Sequence, residues 1–138
     1  MRPVGLAFLL PAVIFAGTAA AADHTADTLG EVLASSAKRF VPMDEITTPI
    51  FGESRIEGAL SVRIVLETAD SEAAGALRPK LPELRAAAVT TTLEFARLNA
   101  SGYAPVEAPL LSSALNRAIK SVDPRVTRVL IVRLGANG

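Results

Sequence analysis

The sequence predicts an α+β fold in which a small β-sheet of β-β-α-α-β order is packed by two or three helices. Three observations support this class. Apolar and polar residues alternate with period two near the middle of the chain, two apolar stripes at helical spacing follow, and a β-branched, apolar run closes the chain. A chain of 138 residues provides one domain and leaves no room for two.

The first 22 residues have the pattern of a signal peptide. Arg2 supplies a positive start, Val4 to Ala16 form a short apolar core, and a run of alanines precedes Asp23. We therefore expect cleavage between Ala22 and Asp23 and export to the periplasm. The alternative is an uncleaved anchor in the inner membrane, because residues 4–22 carry no charge and are just long enough to span a bilayer.

Residues 23–40 are rich in small side chains and weakly apolar, so we predict a linker with one short helix. His24, the only histidine, stands in this segment without a partner at metal-ligand spacing, and the chain has no cysteine. The sequence therefore predicts no metal site, disulfide or thiol nucleophile.

The predicted domain comprises residues 41–138 and begins with a hairpin. Gly52 to Ser54 turn an extended segment that starts at Val41 back into the long strand. Pro49 favours an edge position for the first arm, and Gly58 indicates a bulge in the second. The long strand is predicted to bury Ile56, Leu60, Val62, Ile64 and Leu66 and to carry Arg55, Glu57, Ser61, Arg63 and Glu67 on its polar face.

A short helix is predicted over 71–77, with Asp70 or Ser71 as its N-cap. It is expected to break near Arg78, because two prolines follow at once and each suits the first turn of a new helix better than a helix interior.

A second helix is predicted to run from residue 81 to about Asn99, with Gly102 as a C-terminal cap. Thr90 to Thr92 are expected to bond back to the preceding turn of this helix. The apolar stripe of the two helical pieces consists of Leu77, Leu81, Leu84, Ala88, Phe95 and Leu98.

A last helix is predicted to start with Pro109 in its first turn and to stop at Asp123-Pro124. Its stripe is Leu111, Leu115, Ala118, Ile119 and Val122. The final strand is expected to place Val126, Leu130, Val132 and Leu134 on one face and Val129 and Ile131 on the other, so that both faces are covered.

Composition and motifs argue against two classes of function. The 14 basic and 14 acidic residues balance, so the chain has no charge excess to attract nucleic acid. It also lacks a G-x-S-x-G nucleophile elbow and an H-E-x-x-H helix. We therefore expect no enzyme activity and assign no catalytic residue and no cofactor.

Four stretches of the chain together resemble a known family. These are "VPMDEITTPIF…GALSVRIVLETAD", "LPELRAAAVTTTLEF", "LLSSALNRAIKS" and "RVTRVLIVRL", which cover Val41 to Leu134. A proline-led first strand, a long strand ending near an acidic residue, a leucine-proline-acidic helix start and a terminal strand after a basic residue resemble the periplasmic domain of the flagellar basal-body-associated FliL family. The resemblance implies a stomatin-like core that assembles side by side around membrane partners.

The resemblance further implies a non-enzymatic interaction protein of the bacterial cell envelope that serves flagellum-dependent motility. Its expected partners are proteins such as flagellar stator units, together with further copies of itself in a homo-oligomer, and its N-terminus offers membrane association. The alternative is a periplasmic scaffold or ligand-binding protein unrelated to motility. Mixed-charge surfaces suit assembly, so the candidate contact residues are Arg55, Glu57, Arg63 and Glu67 on the strand and Glu83, Glu94 and Arg97 on the 81–99 helix. Ordinary solvated faces remain the competing interpretation.

Overall fold

The computed structural model describes residues 20–138 of the chain, and side chains from residue 28 onward. The predicted signal peptide therefore lies outside the described residues except for its last three. Helix α1, Ala20–Ala37, passes across the expected cleavage site between Ala22 and Asp23. No helix among the described residues combines the length and hydropathy needed to cross a bilayer.

Helix α1 also occupies most of the segment predicted as a linker with one short helix. Alanine-rich sequence favours helix even where little packing supports it. The larger apolar side chains of α1 are exposed: Leu29 by 62%, Val32 by 57% and Leu33 by 70%. The helix is thus longer than expected, but its side chains from residue 28 onward remain largely outside the core.

Four antiparallel strands form one sheet: β1 (Phe40–Pro42), β2 (Ile46–Phe51), β3 (Ile56–Thr68) and β4 (Val126–Asn137). Strand β3 is central. Strands β1 and β2 follow one another along one of its sides, and β4 pairs along the other. The single extended segment predicted from Val41 is therefore two short strands, separated by Met43 to Glu45.

The predicted hairpin is confirmed, with Ile46 opposite Val62 and Ile50 opposite Gly58. The predicted bulge is also present, because the register shifts by one residue before Phe51 pairs with Ile56. Glycine is required at position 58, since a Cβ there would lie 2.0 Å from the carbonyl oxygen of Asn137. The bulge takes Ile56 out of the inner row, so that it is 63% exposed and its predicted burial was wrong.

The rest of the inner row of β3 is confirmed, because Leu60, Val62, Ile64 and Leu66 are completely buried. The face assignment of β4 was wrong. Two register shifts along β4 change the phase of its alternation, so that the inner residues are Val126, Val129, Ile131 and Leu134. Leu130 and Val132 lie on the opposite face, and Val132 is 56% exposed.

The helices after β3 follow the predicted pattern closely. Helix α2 is Ser71–Leu77, a 3₁₀ turn occupies Arg78–Lys80, and α3 is Leu81–Asn99. Asp70 is the N-cap of α2, since its Oδ1 accepts a 2.8 Å hydrogen bond from the Ala73 amide. Gly102 is not the cap of α3, because the helix ends at Asn99 and Ala100 is already extended.

Helix α4, Ala108–Val122, begins with Pro109 in its first turn as predicted and ends before Asp123. Helices α2 to α4 complete an α+β fold with a single core, to which each of them contributes buried side chains. Most of the predicted stripe of α3 is buried there, but Leu98 is 71% exposed because it lies at the last turn, beyond the core. The hydroxyls of Thr91 and Thr92 bond to the carbonyls of Ala87 and Ala88, as expected.

Candidate interaction surface

Helices α2 to α4 pack on the face of the sheet that carries the inner residues. We call the opposite face the open face. Alternation along β3 and β4 brings charged side chains from neighbouring strands together there. The charged side chains that form ion pairs or cross-strand pairs on the open face are Arg39, Glu45, Arg63, Glu67, Arg128 and Arg133.

Glu67 is the centre of an ion-pair network that crosses the sheet. Its Oε1 lies 3.2 Å from Arg39 Nη2, just before β1, and its Oε2 lies 3.0 Å from both Nη2 and Nε of Arg128 on β4. The Glu67 side chain is only 12% exposed, whereas the side chains of Arg39 and Arg128 are 42% and 63% exposed. The predicted contact residue Glu67 is therefore already paired within the chain, and it links β3 to β4 and to the residue before β1.

Arg63, also predicted, has a different environment. Its guanidinium lies 3.6 Å from Glu45 Oε2, and its direct cross-strand partner on β4 is Arg133. Two like charges opposite each other on a sheet are destabilising. Among the described residues Arg133 makes no ion pair. This part of the open face therefore carries a positive charge that no ion pair of the described residues compensates.

Arg55 and Glu57 lie apart from the charged residues of the open face. Arg55 lies in the hairpin turn, where its carbonyl accepts a 2.9 Å hydrogen bond from the Gly52 amide. The side chain of Glu57 lies over Gly52, since a Cβ on Gly52 would be 2.2 Å from Glu57 Oε1. The bulge next to Gly58 separates both residues from the regular alternation of β3.

The three helix residues of the predicted surface lie elsewhere again. Glu83, Glu94 and Arg97 are all exposed on α3. Because α3 packs on the inner face of the sheet, its solvent side faces away from the open face. The seven predicted residues therefore form three separate groups: the turn, the open face and the outer side of α3.

The two edges of the sheet differ in how far their backbone groups are blocked from pairing with another strand. Along β1 and β2, Pro42 and Pro49 have no amide N–H. Between them, Arg85 of α3 donates from Nη1 to the Asp44 carbonyl at 2.8 Å and from Nη2 to the Glu45 carbonyl at 3.2 Å. Beside this arginine is an apolar groove of about 430 Å³, lined by Pro42, Met43, Asp44, Leu81, Pro82 and Arg85.

The side of β4 that faces away from β3 carries no proline. At one point it meets α4, where the Asn116 side chain accepts a 2.9 Å hydrogen bond from the Val129 amide and donates a 3.2 Å one to its carbonyl. A groove of about 320 Å³ continues from there between α4 and β4, lined in part by Pro109, Ser112 and Ile131. The backbone N–H and C=O groups of Val129 are thus both bonded to the Asn116 side chain.

Asp123 is the one acidic residue among the described ones that is fully buried, and its contacts serve the fold. Its Oδ1 accepts a 2.9 Å hydrogen bond from the Arg125 amide, and its Oδ2 lies 3.4 Å from Lys80 Nζ and 3.6 Å from Arg125 Nη1. The Arg125 amide chiefly holds the pKa of Asp123 below its usual value, against the opposing effect of burial. The carboxylate ties the end of α4 to the 3₁₀ turn.

Sequence reasoning missed Arg39, Arg128 and Asn116. Arg128 lies in the predicted final strand, but its pairing with Glu67 depends on the β3–β4 register, which the local sequence does not show. No group of three or more histidine, cysteine or acidic side chains suited to a metal is found in the described part of the chain. Comparison with known proteins finds no matching family model and no curated relative.

Proposed function

We propose that this chain is an exported interaction protein that acts by protein contact at the bacterial flagellar motor, as its resemblance to the FliL periplasmic domain suggests. The observation that supports contact as its mode of action is the open face. There the Arg63 and Arg133 side chains lie on adjacent strands, and among the described residues Glu45 is the one acidic ion-pair partner of the two. A partner that presents acidic groups would relieve this repulsion on binding.

The fold supplies a rigid platform for such a contact. Glu67 bridges Arg39 and Arg128 across the sheet, which restrains both arginines, while the buried row beneath fixes β3 on the helices. Charges held on strands position a partner more accurately than charges on loops. The proposed partners are stator units of the motor and further copies of this chain in a homo-oligomer, with the N-terminal segment close to the inner membrane.

A second candidate function is a periplasmic ligand-binding or scaffold protein unrelated to motility. The groove beside Arg85 favours it, because Pro42, Met43, Leu81 and Pro82 form apolar walls next to a guanidinium. Such a combination suits a small amphipathic molecule with an anionic group. Arg85 already donates to two backbone carbonyls, however, so this candidate has the weaker support.

Deletion of the gene in its native host tests the motor role. We expect the deletion strain to lose swimming while it still assembles filaments, and the wild-type gene to restore swimming. Complementation with Arg63→Glu should fail, whereas Arg117→Glu, which makes the same change on the exposed side of α4, should succeed. Normal swimming in the deletion strain would exclude the motor role. Full rescue by Arg63→Glu would exclude this arginine from the contact.

A further inference from the structure

We propose that the free side of β4 binds an extended, acidic segment of a partner protein as an added strand. This goes beyond the proposed function, because it names a binding edge and the chemistry of its ligand and holds for whichever cellular process the protein serves.

The two sides of the sheet differ in their ability to accept a strand. Addition of a strand requires free backbone N–H and C=O groups at regular intervals. Pro42 and Pro49 remove N–H groups along β1 and β2, and Arg85 occupies the carbonyls of Asp44 and Glu45. That side is therefore closed to strand addition.

The β4 side is open over most of its length. β4 is a strand of 12 residues without proline, and β3 is its only strand partner among the described residues. Apart from its pairing with β3, the described part of the chain makes no backbone–backbone hydrogen bond to β4 beyond Val126. On the other side of β3 the Ile64 carbonyl accepts a 3.1 Å hydrogen bond from the Met43 amide, so by alternation Val62 and Leu60 also turn their backbone groups away from β4. Leu134 and Ala136, which lie opposite these two residues, therefore form non-hydrogen-bonded pairs with β3, and their N–H and C=O groups point away from it.

The contact of Asn116 with Val129 shows that this edge accepts such a partner. The carboxamide makes both hydrogen bonds that a neighbouring strand would make to Val129, at 2.9 and 3.2 Å. It therefore marks the end of the available edge. The regular part of this edge lies beyond the register shift at Val132, so an added segment would lie alongside Arg133 to Asn137. The groove between α4 and β4 starts at the same place and offers space for one of its side chains.

Charge decides which segment fits. β4 carries Arg128 and Arg133 and no acidic residue. Arg128 is paired with Glu67, whereas Arg133 lies opposite Arg63 and makes no ion pair with a described residue. An acidic side chain on the added strand, opposite Arg133, would lie next to an uncompensated positive charge. A second copy of β4 would instead bring two more arginines and no acid, which argues against self-pairing.

The test uses the full chain with ¹⁵N labelling and a blocked eight-residue peptide in which glutamate and valine alternate. We expect it to bind, to slow hydrogen exchange at the Leu134 and Ala136 amides, and to lose affinity about tenfold or more in Arg133→Glu, since this reverses the charge at the contact. Arg117→Glu, with the same charge change on the exposed side of α4, should bind like the wild type.

Four results of the peptide experiment and one result on the free chain would overturn the proposal. The four are no binding up to about 1 mM peptide, equal binding of the same peptide with lysine in place of glutamate, slowed exchange outside β4, and unchanged affinity in Arg133→Glu. A concentration-dependent dimer of the free chain that protects the Leu134 and Ala136 amides would also overturn it, because the occupant would then be a second copy. None of these results depends on swimming, so the motor role stands or fails separately.

Discussion

Arg63 and Arg133 lie directly opposite each other on the antiparallel pair β3–β4, so that two positive side chains share one position of the open face. Cross-strand pairs of like charge destabilise a sheet by a few tenths of a kcal/mol to about 1 kcal/mol. Because neither arginine neutralises the other, their positive charge is available to the acidic groups of a partner.

Arg133→Glu should therefore stabilise the isolated protein by roughly 0.2–1 kcal/mol, because an opposite charge then faces Arg63. Urea unfolding of the variant and the wild type measures the difference, and Arg117→Glu serves as the control for a charge change away from the sheet. If the variant is more stable and yet no longer binds the peptide, its loss of binding is not caused by unfolding. An Arg133→Glu protein that is no more stable than the wild type would contradict a destabilising repulsion between Arg63 and Arg133.

Leu84→Ala should destabilise the domain by about 2–5 kcal/mol, because Leu84 is completely buried in the core and its loss leaves a cavity. Thr91→Ala on the same helix should cost at most about 1 kcal/mol, since Thr91 is only half-buried and its hydroxyl bonds within the helix. Denaturant midpoints of the two variants give the comparison. Similar midpoints would contradict the packing of α3.

Asp70→Ala should cost about 1 kcal/mol, because the Ala73 amide then loses its side-chain acceptor at the start of α2. Ser71→Ala should change stability much less, since Ser71 is exposed and is the first residue of the helix, not its cap. Thermal unfolding of both variants decides between the two residues, which the sequence left as alternatives. A larger effect at Ser71 would contradict the capping geometry.

The stability of the protein should fall at acidic pH in a manner that depends on Asp123. The folded state holds the pKa of Asp123 below the unfolded value of about 3.9, chiefly through the Arg125 amide. Its contribution is therefore complete above that value and is lost as pH falls through the lower folded pKa. Urea unfolding at a series of pH values below about 5 should show a weaker pH dependence in Asp123→Asn. An unchanged slope would assign the acid sensitivity to other carboxylates.

We predict that the mature protein is exported and begins at or near Asp23. Small residues before this position match the preference of signal peptidase. Intact-mass measurement of protein purified from the periplasmic fraction tests this directly. A mass that includes residues 1–22, found in the membrane fraction, would support the anchor instead.

Local rules in the sequence determined most of the elements between Thr68 and Asp123. Proline is tolerated in a first turn and not in a helix interior, so the break at Arg78–Lys80 and the start of α4 at Ala108 followed from residue type alone. The alternation of β3 likewise predicted its buried residues from Leu60 to Leu66, because side chains on a strand alternate strictly wherever the strand is regular.

Tertiary structure decided the rest, because register between strands is a non-local property. Single-residue shifts reversed the predicted face at Ile56 and along β4. Gly58 indicated the first shift but not its effect on Ile56, and no local pattern in β4 indicates the others. The same register placed Arg128 beside Glu67 and Arg133 opposite Arg63, which determines which charges of the open face are neutralised. The sequence thus identified the charged strand, and only the pairing of β3 with β4 determined where its charge remains available.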